Sequence, residues 1–188
     1  MPKVLVTEEQ WIQLGIEKFS QSGLDGLVIE RMSSELGCSK SSFYWYFRNR
    51  NEYITKLVER WVELSTNEVI LQSSLAINPE DRLTYLLQQM FSATGKGDFL
   101  FFFRKLGSNH ANFQEMLEKI EQTRIDYAVQ VLESMGMTTL NAQQKAFILY
   151  HYYLGWYERF KNRQVEKYEL QQHIDTLKAQ LLSSSLEG

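Results

Sequence analysis

The sequence predicts an all-α protein, and three observations carry that prediction. Two prolines and ten glycines among 188 residues leave long stretches without a helix breaker. Apolar residues in those stretches recur every three or four positions, and no run alternates as a half-buried strand requires. Capping residues stand where the periodic stretches begin, and glycines where several of them end. A composition of 44% hydrophobic and 13% aromatic residues gives ample material for a core. About nine helices are expected, as an N-terminal three-helix domain over residues 1–50 and a larger helical domain over residues 51–188.

Thr7 and Gln10 form a T-x-x-Q capping box that opens a first helix with Ile12, Ile16 and Phe19 facing inward, ending near Gly23. The next helix places Ile29, Met32 and Leu36 on one stripe, and Gly37 follows its end, where a left-handed residue is wanted. Ser39 is expected to cap the third helix through its side-chain oxygen. Phe43 and Phe47, four apart, fix that helix's inner face. Ser41 and Trp45 then fall nearly opposite the two rings, with Ser42 and Tyr44 beside them and Lys40 in the first turn. Two short helices about a tight turn, the second holding aromatics outward, make a helix-turn-helix.

From Arg50 to the low seventies a connecting helix carries Ile54, Leu57, Val58, Trp61, Val62, Leu64 and Val69 on a broad apolar side. Asn78-Pro79-Glu80 starts the next, with an N-cap followed by proline at the first helical position. That helix runs through Leu83, Leu86, Leu87, Met90 and Phe91 and is closed by Gly95 and Gly97. Asp98 is expected to cap FLFFFRKLG, whose apolar residues surround the helix and imply burial on several sides. A long amphipathic helix follows over Asn109 to Met135, with Gly136 beyond it. Asn141 is then expected to cap a helix over Ala142–Lys161, and a last helix over Val165–Leu182 carries Leu170, Ile174, Leu177 and Leu181 in one stripe.

Gly37, Ser39, Lys40, Tyr44, Tyr46 and Phe47, followed by Arg50, Glu52 and Ile54, closely resemble the end of the DNA-binding domain of the tetracycline-repressor (TetR) family of bacterial transcriptional regulators. Phe19, Gly23 and Leu24 extend the resemblance backward, so that it covers about the first 55 residues; the remainder is similar only in length and helical character. Two positions depart from the family. Val28 stands where a helix-capping, phosphate-touching threonine is common, and Tyr46 where a histidine is frequent.

The resemblance implies a ligand-responsive regulator, a repressor that binds a pseudo-palindromic DNA operator as a dimer. Lys40 would then read guanine, Ser41 and Ser42 would contact base edges or phosphates, Trp45 would pack on thymine methyls or sugar, and Tyr44, Tyr46 and Arg50 would hold phosphates. It also implies a homodimer through the last two helices, packed as a four-helix bundle. On the first of these, Ala146, Leu149, Tyr150, Tyr153, Tyr157 and Phe160 form one apolar side, while Phe147, His151, Leu154 and Gly155 form another. A single-chain core cannot readily cover both.

The aromatic excess beyond residue 80 serves a core or encloses a cavity for a small-molecule effector, for which Phe91, Phe99, Phe102, Phe103, His110, Phe113, Tyr150, His151 and Trp156 are the candidate lining. His110, His151 and His173 lack metal-ligand spacing, and no nucleophile with its base, carboxylate pair or phosphate loop is recognisable, so neither a metal, a cofactor nor an enzymatic activity is expected. The lone cysteine, Cys38, excludes an internal disulfide. The start MPKVLVTEEQ is too short in apolar residues for a signal peptide, and no run approaches a membrane span. A soluble cytoplasmic protein is expected.

Charge weighs against a generic DNA binder. Net charge is −3, and residues 1–55 hold six basic residues against seven acidic. DNA binding would therefore rest on local placement rather than on a basic surface. Two alternatives stay open: a TetR-like protein that has lost specific DNA binding and acts through a protein partner, and a helical carrier of lipids or other small molecules.

Overall fold

The computed structural model describes residues 6–92, 97–161 and 163–183. Among them the helices are α1 (Glu8–Ser22), α2 (Ile29–Glu35), α3 (Lys40–Tyr46), α4 (Arg50–Val62), α5 (Glu68–Ser74), α6 (Pro79–Ser92), α7 (Phe99–Gly107), α8 (Ala111–Ser134), α9 (Thr139–Phe160) and α10 (Lys167–Leu182). A 3-10 turn over Gly23–Gly26 follows α1, and a π-helical turn over Glu63–Asn67 joins α4 to α5 without a break. Counting that rod once, the described residues hold nine helices and no strand, as the periodicity predicts.

Local chemistry explains most of the boundaries. Thr7 and Gln10 make the full capping box, each side chain satisfying the other's backbone N–H. Gly23 (φ 61°) and Gly37 (φ 68°) adopt the left-handed backbone that ends α1 and α2. Asn78 Oδ1 accepts from the Glu80 N–H at 2.9 Å, and Asp98 Oδ1 from the Phe101 N–H at 3.3 Å. Gly95 lies outside the described residues.

Three expectations are corrected. Ser39 occupies the N-cap of α3, but its side chain does not cap the helix: the hydroxyl is 2.6 Å from that of Ser41. Asn141 is not the cap of α9. Thr138, three residues earlier, holds that place and accepts from the Asn141 N–H, so the helix gains most of a turn. A Thr and an Asn both fit the capping preference, and the pattern favoured the one nearer the apolar run. The α7 helix is also not buried on several sides, its buried residues lying along one face. Phe99, Leu100, Phe103 and Leu106 are buried, whereas Phe101 is 47% exposed.

The chain divides into two compact units, residues 1–65 with 97–117, and residues 66–96 with 118–188. In the first, α1 packs on α4, α7 and the 3-10 turn, and α2 packs on α3. The close approach of α1 to α4 rests on Gly15, where a Cβ would come within 2.1 Å of the Tyr53 hydroxyl and 2.6 Å of Leu57. The core of the second unit is built from Leu83, Leu87, Phe91, Val131, Leu132, Ala142, Ala146 and Ile174, with α6 in contact with α5, α9 and α10.

Candidate nucleic-acid interface

The seven-residue α3 is too short to be stable by itself, so its orientation is set by what its inner face buries. Phe43 and Phe47 are 1% and 0% exposed. Phe43 meets Trp11 edge-on at 5.4 Å and Tyr53 at 5.0 Å, and Phe47 lies 4.7 Å from Tyr53. Such ring pairs add about 0.5–1.5 kcal/mol each beyond the area they bury. The Tyr53 hydroxyl donates to the Trp11 carbonyl at 2.6 Å, and burial pushes that phenol well above the ordinary tyrosine range. One cluster thereby ties α1, α3 and α4 together.

With the inner face pinned, the outer face follows. Trp45 is 82% exposed and Tyr44 63% exposed. Lys40 and Ser41 are exposed beside them. Two of the candidate contact residues are occupied in holding the head together. The Ser42 hydroxyl accepts from the Trp11 indole N–H at 3.4 Å, and the Tyr46 hydroxyl donates to the Val6 carbonyl at 2.9 Å. Arg50 is exposed and reaches back to donate to the Leu24 carbonyl in the 3-10 turn. Val28 is the N-cap of α2 and, having no acceptor, makes no side-chain cap.

Four cations of this unit are paired from within. Lys40 pairs with Glu30, Lys18 with Glu35, Lys56 with Glu8 and Arg60 with Glu9. The hydrogen bond from Lys40, with the helix backbone and the lysine's charge, holds the Glu30 carboxyl below the usual carboxylate range. Arg31 and Arg48 are exposed and form no ion pair among the described residues. Glu30 was not among the sequence candidates: it lies ten residues before Lys40, and no local spacing rule joins them.

The candidate effector residues fall into two groups. Phe99, Phe102, Phe103, His110 and Phe113 lie in the first unit, and Phe91, Tyr150, His151 and Trp156 in the second. Phe102 and His110 line a cavity of about 210 Å³ in the first unit, together with Ser22, Leu24, Asp25, Lys105, Leu106 and Asn109. Phe99, Phe103 and Phe113 are core, with Phe99 stacked on Trp61 at 4.7 Å. In the second unit His173 stacks on Trp156 at 3.8 Å and meets Phe91 edge-on at 5.0 Å. Burial pushes the His173 imidazole below its ordinary value, against the smaller upward pull of Glu169. His151 is exposed, its Nδ1 2.8 Å from the Phe147 carbonyl. Among the described residues no cluster of three His, Cys, Asp or Glu side chains could hold a metal, and no helix is long and apolar enough to cross a membrane.

On α9, Ala142, Ala146, Leu149 and Tyr150 are buried, while Phe147 (57%) and Ile148 (65%) stand exposed with His151 and Gly155. The stripe of α10 is turned inward, with Ile174 and Leu181 buried and Leu170 and Leu177 packed on the same core.

No protein-family model matches the chain, and no curated protein matches it. Solved structures do. A transcriptional regulator from Rhodococcus sp. Rha1 superposes with a TM-score of 0.75 at 15% identity, covering 94% of this chain and 96% of that one. A TetR transcription regulator from Haloarcula marismortui gives a TM-score of 0.72 at 17% identity over 90% of this chain and 93% of its own. AibR, solved in complex with isovaleryl coenzyme A and operator DNA, gives 0.70 at 12% identity over 94% and 98%. With TM-scores of 0.70–0.75 over nine-tenths or more of both chains, this chain has the fold of the TetR-family transcriptional regulators.

Proposed function

We propose that this protein is a dimeric DNA-binding transcriptional regulator, acting as a repressor whose grip on its operator responds to a small molecule. The observation that carries the reading is the outward face of α3. An 82%-exposed tryptophan next to a 63%-exposed tyrosine, on a helix whose opposite face is fully buried, is a costly surface for a protein that leaves it in water. In a major groove the same face has partners: thymine methyls and sugar for Trp45, a guanine edge for Lys40, and base or phosphate oxygens for Ser41. Tyr44 and Arg50 would hold phosphates. Ser42 and Tyr46, also candidates for contact, serve the face by anchoring it to Trp11 and Val6.

Dimerisation would use the exposed side of α9, with Phe147, Ile148, His151 and Gly155 meeting their counterparts and α10 flanking them. A two-fold axis presents two copies of α3 to half-sites about 34–36 Å apart or a multiple of that. An effector would act by population shift: it releases DNA only if it binds the DNA-incompetent form of the dimer more tightly than the competent one. The cavity lined by Phe102 and His110, at about 210 Å³, suits a small effector. That the solved structure of AibR holds both an acyl coenzyme A and operator DNA supports ligand-responsive DNA binding on this fold.

The experiment is selection from a genomic fragment library at two salt concentrations with the full-length protein. The expected result is enrichment of a pseudo-palindrome with affinity falling as salt rises. A folded dimer that enriches no fragment at either salt would sink the proposal and favour a protein partner.

A further inference from the structure

Resting on that reading of α3 as the DNA-reading helix, we infer that Glu30 is a specificity-determining residue, which holds Lys40 off generic phosphate and releases it only to a matched base edge.

Lys40 opens α3, and in the free protein its ammonium is already paired with the Glu30 carboxylate of α2. Both side chains are exposed, at 54% and 58%, so the pair faces the solvent from which DNA would approach. A pair this exposed is weak and can be exchanged. What it is exchanged for decides the outcome. Non-specific binding is the sum of phosphate contacts, each releasing counterions. A phosphate offers Lys40 another singly charged oxygen acceptor in place of the carboxylate, and it leaves Glu30 unpaired beside a polyanion. The lost pair and the unpaired Glu30 carboxylate offset the counterion release, so Lys40 adds little to phosphate binding. A guanine presents two acceptors, O6 and N7, on a neutral edge. Lys40 then gains partners that add no negative charge, and Glu30 is set free beside bases where a cytosine amino group can donate to it.

The neighbouring charges sharpen the argument. Arg31 and Arg48 form no ion pair among the described residues and remain available to any phosphate. The cation that leads the recognition helix, by contrast, carries an acid beside it. Over residues 1–55 the acidic excess thus costs the head generic affinity at the position where generic affinity would blur sequence choice.

The test compares wild type, Glu30→Gln, Lys40→Gln and the double variant. Each is titrated against an operator fragment from the library selection and against a scrambled duplex of the same length, over a series of salt concentrations. Glu30→Gln should raise affinity for the scrambled duplex about 5- to 10-fold at 0.1 M salt and steepen its salt slope by about 0.9, the mark of one added phosphate contact. Affinity for the operator should change by less than about 3-fold, since Lys40 keeps its base edge there and the amide oxygen of glutamine can still accept from a cytosine amino group. The ratio between the two duplexes therefore falls, and the double variant loses the gain. An equal rise on both duplexes, no rise on either, or a gain that survives Lys40→Gln overturns the inference and leaves DNA binding standing. Absence of binding to both duplexes in all four folded variants overturns the DNA reading itself, and the inference with it.

Discussion

The first unit and the second are both rich in aromatic rings, yet their rings obey different rules. In the head the destination of each ring follows from helical period: Phe43 and Phe47 point in, Tyr44 and Trp45 point out, and a seven-residue helix has no room for ambiguity. In the second unit the long α9 carries aromatic residues on more than one side. Tyr150 is core, Trp156 stacks on His173, Tyr152 is half-covered, and Phe147 faces outward. Period assigns a face only where a helix buries one side and leaves the other to solvent. Where helices pack on two sides, a ring's role depends on the partner.

The contrast within α3 predicts the greatest change. Phe43→Ala should cost about 3–5 kcal/mol in chemical denaturation, the usual toll of emptying a packed aromatic site. Trp45→Ala, two residues on, should stay within about 0.5 kcal/mol of wild type while weakening operator binding in a titration. A comparable loss of stability from both would mean that the outer face is structural.

A smaller effect separates two capping candidates in the second unit. Thr138→Ala should destabilise by about 1 kcal/mol, because the Asn141 N–H then loses its acceptor. Asn141→Ala should be close to neutral by the same thermal-unfolding measurement. The reverse order would restore Asn141 as the cap.

The least of the three is a pH effect. Burial depresses the folded-state pKa of His173, so between that value and about 6.5 the unfolded chain binds more protons than the folded one. His173 thus contributes stability at neutral pH that declines as pH drops below about 6.5. The melting temperature should fall over that window, and His173→Phe should flatten the fall. An unchanged slope in the variant would show that other groups set it.

The head was more legible than the second unit for a physical reason. Gly37, Ser39, Phe43 and Phe47 act through turn geometry and helical period, which are local, so the place of α3 and its inner and outer faces could be read without coordinates. Ser42 and Tyr46 could not be placed that way. Their hydroxyls are taken by Trp11 and by the Val6 carbonyl, 31 and 40 residues away in sequence. The candidate effector residues rest on composition, which cannot tell a cavity wall from a core ring, and the fold parts them between two units.

The helical architecture, the capping box at Thr7, the end of α1 near Gly23, the left-handed stop at Gly37 and the outward aromatic face are written in the sequence, because each rests on interactions within a few residues. Tertiary structure alone decided that Lys40 is held by Glu30, that Arg50 reaches the Leu24 carbonyl, and that Trp156 covers His173. Those pairings join residues on different helices or turns, and no period or spacing along the chain encodes which surfaces will meet.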